Sequence, residues 1–245
     1  MTNGADLTMH FDPVGDVLAA ARDCEIAIFF DAYGNTATEW QQEYGRYDQS
    51  SAFVAITEPG GDAVAVCRMV IPSAFGLKSL DDLSRPPWQV DGYRSALAAG
   101  VDPAATIDIA TIGVRKGLRG AGMLASLALY HSIVMATRAN NLPHIVMIMD
   151  ERARRLLSMA SLTTFVLPGT APAPYLGSSA STPLWANMAQ SMDIQRRDNP
   201  EAHRLVGQGQ GLAGISIPPL AGFRFRDRLL PAYTAADREL QLGHA

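Results

Sequence analysis

Chemistry in this chain has to be sought where charge or glycine interrupts apolar sequence. The stretch IDIATIGVRKGLRGAG, residues 107–122, does both. An acid, Asp108, sits in a run otherwise written in Ile, Ala and Thr. The run closes at Val114, and Arg115, Lys116, Arg119, Gly120, Ala121 and Gly122 then lead into the helix that begins near Met123. The first-turn N–H groups of a helix, at the positive end of its dipole, form an anion site, and glycines let a ligand approach the backbone. The spacing Gly117-x-x-Gly120-x-Gly122 is neither that of a dinucleotide fold nor that of a Walker loop, so a plain strand-to-helix turn is the other reading. A second interruption is Arg68, inside the apolar run AVAVCRMVI; buried alone it is costly, so it must find a partner.

These residues need elements to hold them. SAFVAIT (51–57) and AVAVCRMVI (63–71) flank Glu-Pro-Gly-Gly-Asp and predict an antiparallel hairpin. ATIDIATIGV (105–114) reads as a strand, AGMLASLALYHSIVMATRAN as a helix of about five turns, HIVMIM as a strand, ERARRLLSMASL as a helix and TTFVLPG as a strand. That β-α-β-α-β order makes the strands flanking the long helix parallel. Strict alternation would put Asp108, Ala110, Ile112 and Val114 on one face and Ile107, Ile109, Thr111 and Gly113 on the other.

Upstream, Asp12 before Pro13 reads as the cap of a helix running to about Asp23. EIAIFFDAY could be strand or helix, and Trp40 and Tyr44 mark the inward edge of a helical segment. The stretch from Pro72 to Gly100 is irregular, with a short helix near 93–99. Downstream, GTAPAPYLGSSASTP reads as a loop and LWANMAQSMDIQRR as a helix. The expected domains are 1–195, carrying the core, and an extension, 196–245, packing on that domain or on a neighbouring subunit.

Composition narrows the function. A net charge of -4 argues against bulk nucleic-acid binding. Two cysteines, Cys24 and Cys67, fit a reducing compartment, and no apolar run reaches the length of a membrane span, so a cytoplasmic protein is expected. Five scattered histidines lack metal-ligand spacing, and no metal is expected.

A strand closing in a basic glycine turn, a long helix, a parallel strand and another helix resembles the core of the GCN5-related N-acetyltransferase superfamily. The resemblance implies an α/β (α+β) fold with a mixed, centrally splayed sheet flanked by helices. It also implies that the turn (Val114, Arg115, Arg119, Gly120, Ala121, Gly122, Met123) binds acyl-CoA, or the acyl-phosphopantetheine of an acyl carrier protein, as co-substrate, with no permanently bound cofactor. Arg119, Gly120 and Gly122 fit the first four positions of the Q/R-x-x-G-x-G/A pattern, and Leu124 stands where Gly or Ala is usual. Phe29 or Phe30, Trp40, Asp48, Arg68 and Asp108 further resemble the N-acyl homoserine lactone synthase and N-acyl amino acid synthase branch. In this chain the strand acid is Asp rather than Glu, Thr111 replaces an Arg, and Gly45 replaces a second acid.

The resemblance implies transfer of an acyl group to the amine of a small, amino-acid-like acceptor. Asp108 would be the base, Arg68 and Asp48 a pair serving structure or substrate, and Phe30, Trp40, Thr111 and Met147 the substrate pocket. The tyrosine that many relatives place on the helix after the next strand is missing from ARRLLSMA. A non-catalytic thioester-binding module is the alternative. Arg152, Arg154 and Arg155, together with Arg115, Lys116 and Arg119, form a basic patch in an acidic chain, suited to a carrier protein or a CoA phosphate, with a solvated helix face as the other reading.

Overall fold

In the computed structural model, residues 7–118 and 121–226 are described. Arg119 and Gly120, at the heart of the predicted turn, lie outside them. The strands are β1 (Leu7–Phe11), β2 (Ser51–Thr57), β3 (Ala63–Val70), β4 (Thr106–Val114), β5 (His144–Asp150), β6 (Phe165–Val166), β7 (Ala173–Tyr175), β8 (Ser178–Asn187) and β9 (Ile215–Ser216). The helices are α1 (Gly15–Tyr33), α2 (Ala37–Tyr44), α3 (Lys78–Leu83), α4 (Gly92–Ala98), α5 (Gly122–Asn140), α6 (Glu151–Met159) and α7 (Met188–Asp198). Among the described residues the strands form one mixed sheet in the order β6-β8-β5-β4-β3-β2-β1-β9, with β7 also on β8. β4 and β5 are parallel, as the β-α-β reading requires.

α5 covers one face of the sheet, over Cys67, Met69, Ile107 and Ile109. The opposite face is covered by α1, over Phe53, Ala55 and Val66, and by α3 and α4, over Val70 and Val146. The segment after α7 returns to this body: β9 pairs with β1, and Phe223 is buried against Phe11 with ring centroids 5.2 Å apart.

Four expectations need correction. α1 does not stop near Asp23 but absorbs EIAIFFDAY, because no glycine or proline interrupts it before Gly34, which ends it in the left-handed conformation. Asp12 does not cap α1; Val14 occupies that position, and Asp12 grips the Arg226 guanidinium through two bonds of 2.6 Å. Residues 173–187 are not loop and helix but a β7–β8 hairpin turning at Leu176 and Gly177, both at positive φ, and the helix starts only at Met188. Finally, β4 does not alternate strictly. Arg68 pairs with Thr111 but Met69 with Ile109, so a bulge at Ala110 brings Thr111 and Gly113 onto the face of Asp108.

Candidate active site

The sheet opens at its centre. Parallel pairing of β4 with β5 covers only Thr106–Asp108 against His144–Val146, yet β4 runs on to Val114 and β5 to Asp150. The outer edge of β4 still pairs with β3, and the Arg115 N–H donates to the Val64 carbonyl at 2.8 Å. Backbone groups alternate sides along a strand, so the amides of Ile112 and Val114 face the gap. Backbone donors left unpaired in mid-sheet are costly unless a ligand or water meets them.

The face under α1 and α3 carries the charged residues. Arg68 is buried and donates through Nε and Nη2 to Glu25 of α1 (3.0 and 2.6 Å) and through Nη1 to Asp48 (2.9 Å). Its guanidinium also lies over the rings of Phe53 and Tyr44, at 4.6 and 5.0 Å. Thr111 donates to the same Glu25 carboxylate, which ties the bulge of β4 to α1. Sequence reasoning paired Arg68 with Asp48 and missed Glu25. The acid was legible only if EIAIFFDAY is taken as helix, which points Glu25 inward.

Asp108 lies where β4 and β5 part. It is fully buried, and both carboxylate oxygens accept bonds of 2.6 Å from Ser79, one from its N–H and one from its hydroxyl. Desolvation raises its pKa from 3.8 to about 7, against the opposing pull of the Ser79 bonds and of Lys78. Lys78 is itself buried between Asp82 and Glu43, the latter at 3.0 Å, and lies over the Tyr44 ring at 4.7 Å.

The α5 N-terminus stands at the open end of β4. Its cap residue, Ala121, makes no side-chain capping bond. Among the described residues a Cβ on Gly122 would meet nothing nearer than Leu118 Cβ at 4.0 Å, so their packing does not require glycine there. Lys116 donates to the Asp31 carbonyl at 2.9 Å and so holds α1 to this lip. Met123 is 75% exposed.

Of the residues expected in a pocket, Trp40 is buried between Phe29 and Tyr44, with ring centroids at 4.5 and 4.3 Å. Phe30 is not its neighbour; it faces solvent at 57% exposure, and Phe29 takes the stacking position. Met147 is buried in the core under α5, on the face opposite Asp108. Tyr33 and Asp150, joined across the gap, were not singled out from sequence. Among the described residues no cluster of His, Cys, Asp or Glu could hold a metal, and no helix is long and apolar enough to cross a membrane.

No protein-family model and no curated protein matches the chain. Solved structures do. The CoA-dependent acyl-homoserine lactone synthase BjaI matches with a TM-score of 0.54 at 13% identity, covering 90% of this chain and 97% of that one. FeeM, an N-acyl amino acid synthase from uncultured soil microbes, gives 0.56 at 10% identity, over 77% and 94%. This chain has their fold. The acyl-homoserine lactone synthase LasI gives 0.53 at 11% identity, over 76% and 91%. The splayed mixed sheet is thus the one implied by the resemblance to the GCN5-related N-acetyltransferases.

Proposed function

We propose that the protein is an N-acyltransferase that moves an acyl group from an acyl-CoA or acyl-carrier-protein thioester to the amine of a small, amino-acid-like acceptor. The observation that carries this reading is the β4–β5 splay, which opens beside the α5 N-terminus, whose cap residue Ala121 makes no side-chain capping bond. A phosphopantetheine arm is an extended, amide-bearing chain that can pair with the free edge of β4, while its phosphates meet the first turn of α5. The relatives named above add support, since BjaI is CoA-dependent and FeeM is an N-acyl amino acid synthase.

On this reading the acceptor nitrogen attacks the thioester carbonyl carbon, and the amides of Ile112 and Val114 stabilise the oxyanion. Asp108, acting through the Ser79 hydroxyl, takes the proton that the nitrogen loses as the C–N bond forms and returns it to the departing sulfur. Arg68, Glu25 and Asp48 hold α1 and the bulge in register. Trp40, with Phe29, walls the acceptor side.

The complete burial of Asp108 favours a second reading, a thioester-binding module without chemistry. Thiol release from acyl-CoA and acyl-carrier donors, assayed with a panel of amines, tests both. Turnover that falls about 100-fold or more in Asp108→Asn, with thioester affinity kept, supports the enzyme. Binding without turnover in the wild type supports the module, and no binding of either donor overturns both.

A further inference from the structure

An amine that arrives as an ammonium has to lose one proton before it can attack, and a second as the amide forms. Asp108 is sealed from solvent, with both of its oxygens engaged by Ser79. The first proton therefore needs another route.

The last turns of α1 span the open splay. On the β4 lip, Lys116 holds the Asp31 carbonyl at 2.9 Å, and α1 packs so closely that a Cβ on Gly113 would meet Ile28 at 2.7 Å. On the β5 lip, the Tyr33 hydroxyl donates to Oδ2 of Asp150. The β7–β8 turn presses from outside; a Cβ on Gly177 would lie 2.8 Å from the Tyr33 carbonyl oxygen. The phenol is thereby fixed over the gap that the thioester would occupy.

Asp150 is fixed as well, since its Oδ1 accepts the Ala153 N–H at 2.6 Å and caps α6. A phenol whose hydrogen is given to a carboxylate turns its oxygen lone pairs outward as a strengthened acceptor. Burial, and then the Asp150 bond, push the Tyr33 pKa up, so the hydroxyl stays protonated at working pH. Arg152 of α6 is the further charge acting on Tyr33; Phe29 on α1 and Gly177 on the hairpin bring none.

We infer that Tyr33 and Asp150 form a proton relay that converts the bound ammonium to the attacking amine. This rests on the acyl-transfer reading. An ammonium N–H passes its proton to Tyr33 Oη as the Tyr33 proton moves to Asp150 Oδ2, leaving a neutral amine and a protonated Asp150. The amine attacks the thioester carbon, and the C–S electron pair leaves on sulfur. The second nitrogen proton reaches that sulfur by way of Asp108. Asp150, only partly buried, then returns its proton to water.

The test compares Tyr33→Phe and Asp150→Asn with wild type, using one acyl donor and two acceptors. One acceptor is an alkyl ammonium at pH 7; the other is an O-alkyl hydroxylamine, already neutral there. Phe keeps the ring, Asn still caps α6, and thermal melts verify folding. Both variants should lose about 100-fold in kcat/KM with the ammonium at pH 7, recover as pH rises toward the amine's own pKa, and lose little with the hydroxylamine. An equal loss with both acceptors at every pH, or no loss, overturns the relay, and a loss in Tyr33→Phe alone removes Asp150 from it. Wild-type protein that releases no thiol with either acceptor overturns the transferase reading itself, and the relay with it.

Discussion

Asp108 bears a cost in the folded state that its chemistry would explain. Its pKa stands near 7 when folded, mainly through desolvation, against 3.8 ordinarily, so between those values the folded protein holds a proton that the unfolded chain has released. Stability from this group is therefore full below about pH 4 and declines as pH rises through 7. Asp108→Asn, which can still accept from Ser79, should flatten that slope: its melting temperature at pH 8 should equal or exceed that of wild type, while turnover collapses. A variant that melts well below wild type at pH 8 would mean that the carboxylate mainly anchors α3. Gly122 allows a complementary experiment. The described residues leave room for a Cβ there, and alanine is the better helix former. Gly122→Ala should thus match or exceed wild-type stability yet weaken acyl-CoA binding about tenfold, measured by calorimetry; unchanged affinity would make the turn a structural corner.

At the scale of elements, strong periodicity and punctuation made much of the fold legible. The 51–70 hairpin, the strand with Asp108, the long helix behind it and the parallel strand after that all stand as read. The failures share one cause, tertiary context overriding a local signal. Asp12–Pro13 has the form of a helix cap, but Asp12 is taken by Arg226, far away in the chain. The Leu176–Gly177 turn lacks the Asn-Gly or Asp-Gly signature, so its hairpin looked like loop. The Ala110 bulge is invisible to an alternation rule, yet it sets which residues share a face with Asp108. Of the candidate site, the Arg68–Asp48 pair was legible, whereas Glu25, Ser79 and the Tyr33–Asp150 bridge depend on contacts distant in sequence. The Asp12–Arg226 clasp makes its own prediction, because Asn140 also pins this segment through the Phe223 carbonyl and the Phe225 N–H. Asp12→Ala should accelerate hydrogen exchange at 223–226 at least tenfold, with β2, β3 and β4 unaffected. Exchange accelerated throughout would show that the clasp stabilises the whole sheet.

At the scale of the molecule, charge is distributed against its average. The chain carries a net -4, yet the outer face of α6 presents Arg152 and Arg155 beside Leu156 and Met159, the last two 41% and 74% exposed. The opposite face of α6 buries Leu157, so the helix has a basic, apolar surface facing solvent next to the open end of β5. If the donor is an acidic carrier protein, this surface lies where its pantetheine arm would enter, and attraction between unlike charges would raise the association rate at low salt. A free CoA thioester would rely on the α5 turn and much less on α6. Arg155→Glu should therefore lower kcat/KM with an acyl-carrier donor about tenfold at low ionic strength, with the deficit shrinking as salt screens the contact. With acyl-CoA the same variant should stay within about twofold of wild type, since a free thioester brings no acidic protein surface to dock on α6. An equal loss with both donors would move the role of Arg155 from docking to the splay itself, and no loss with the carrier would leave the outer face of α6 without a part in delivery.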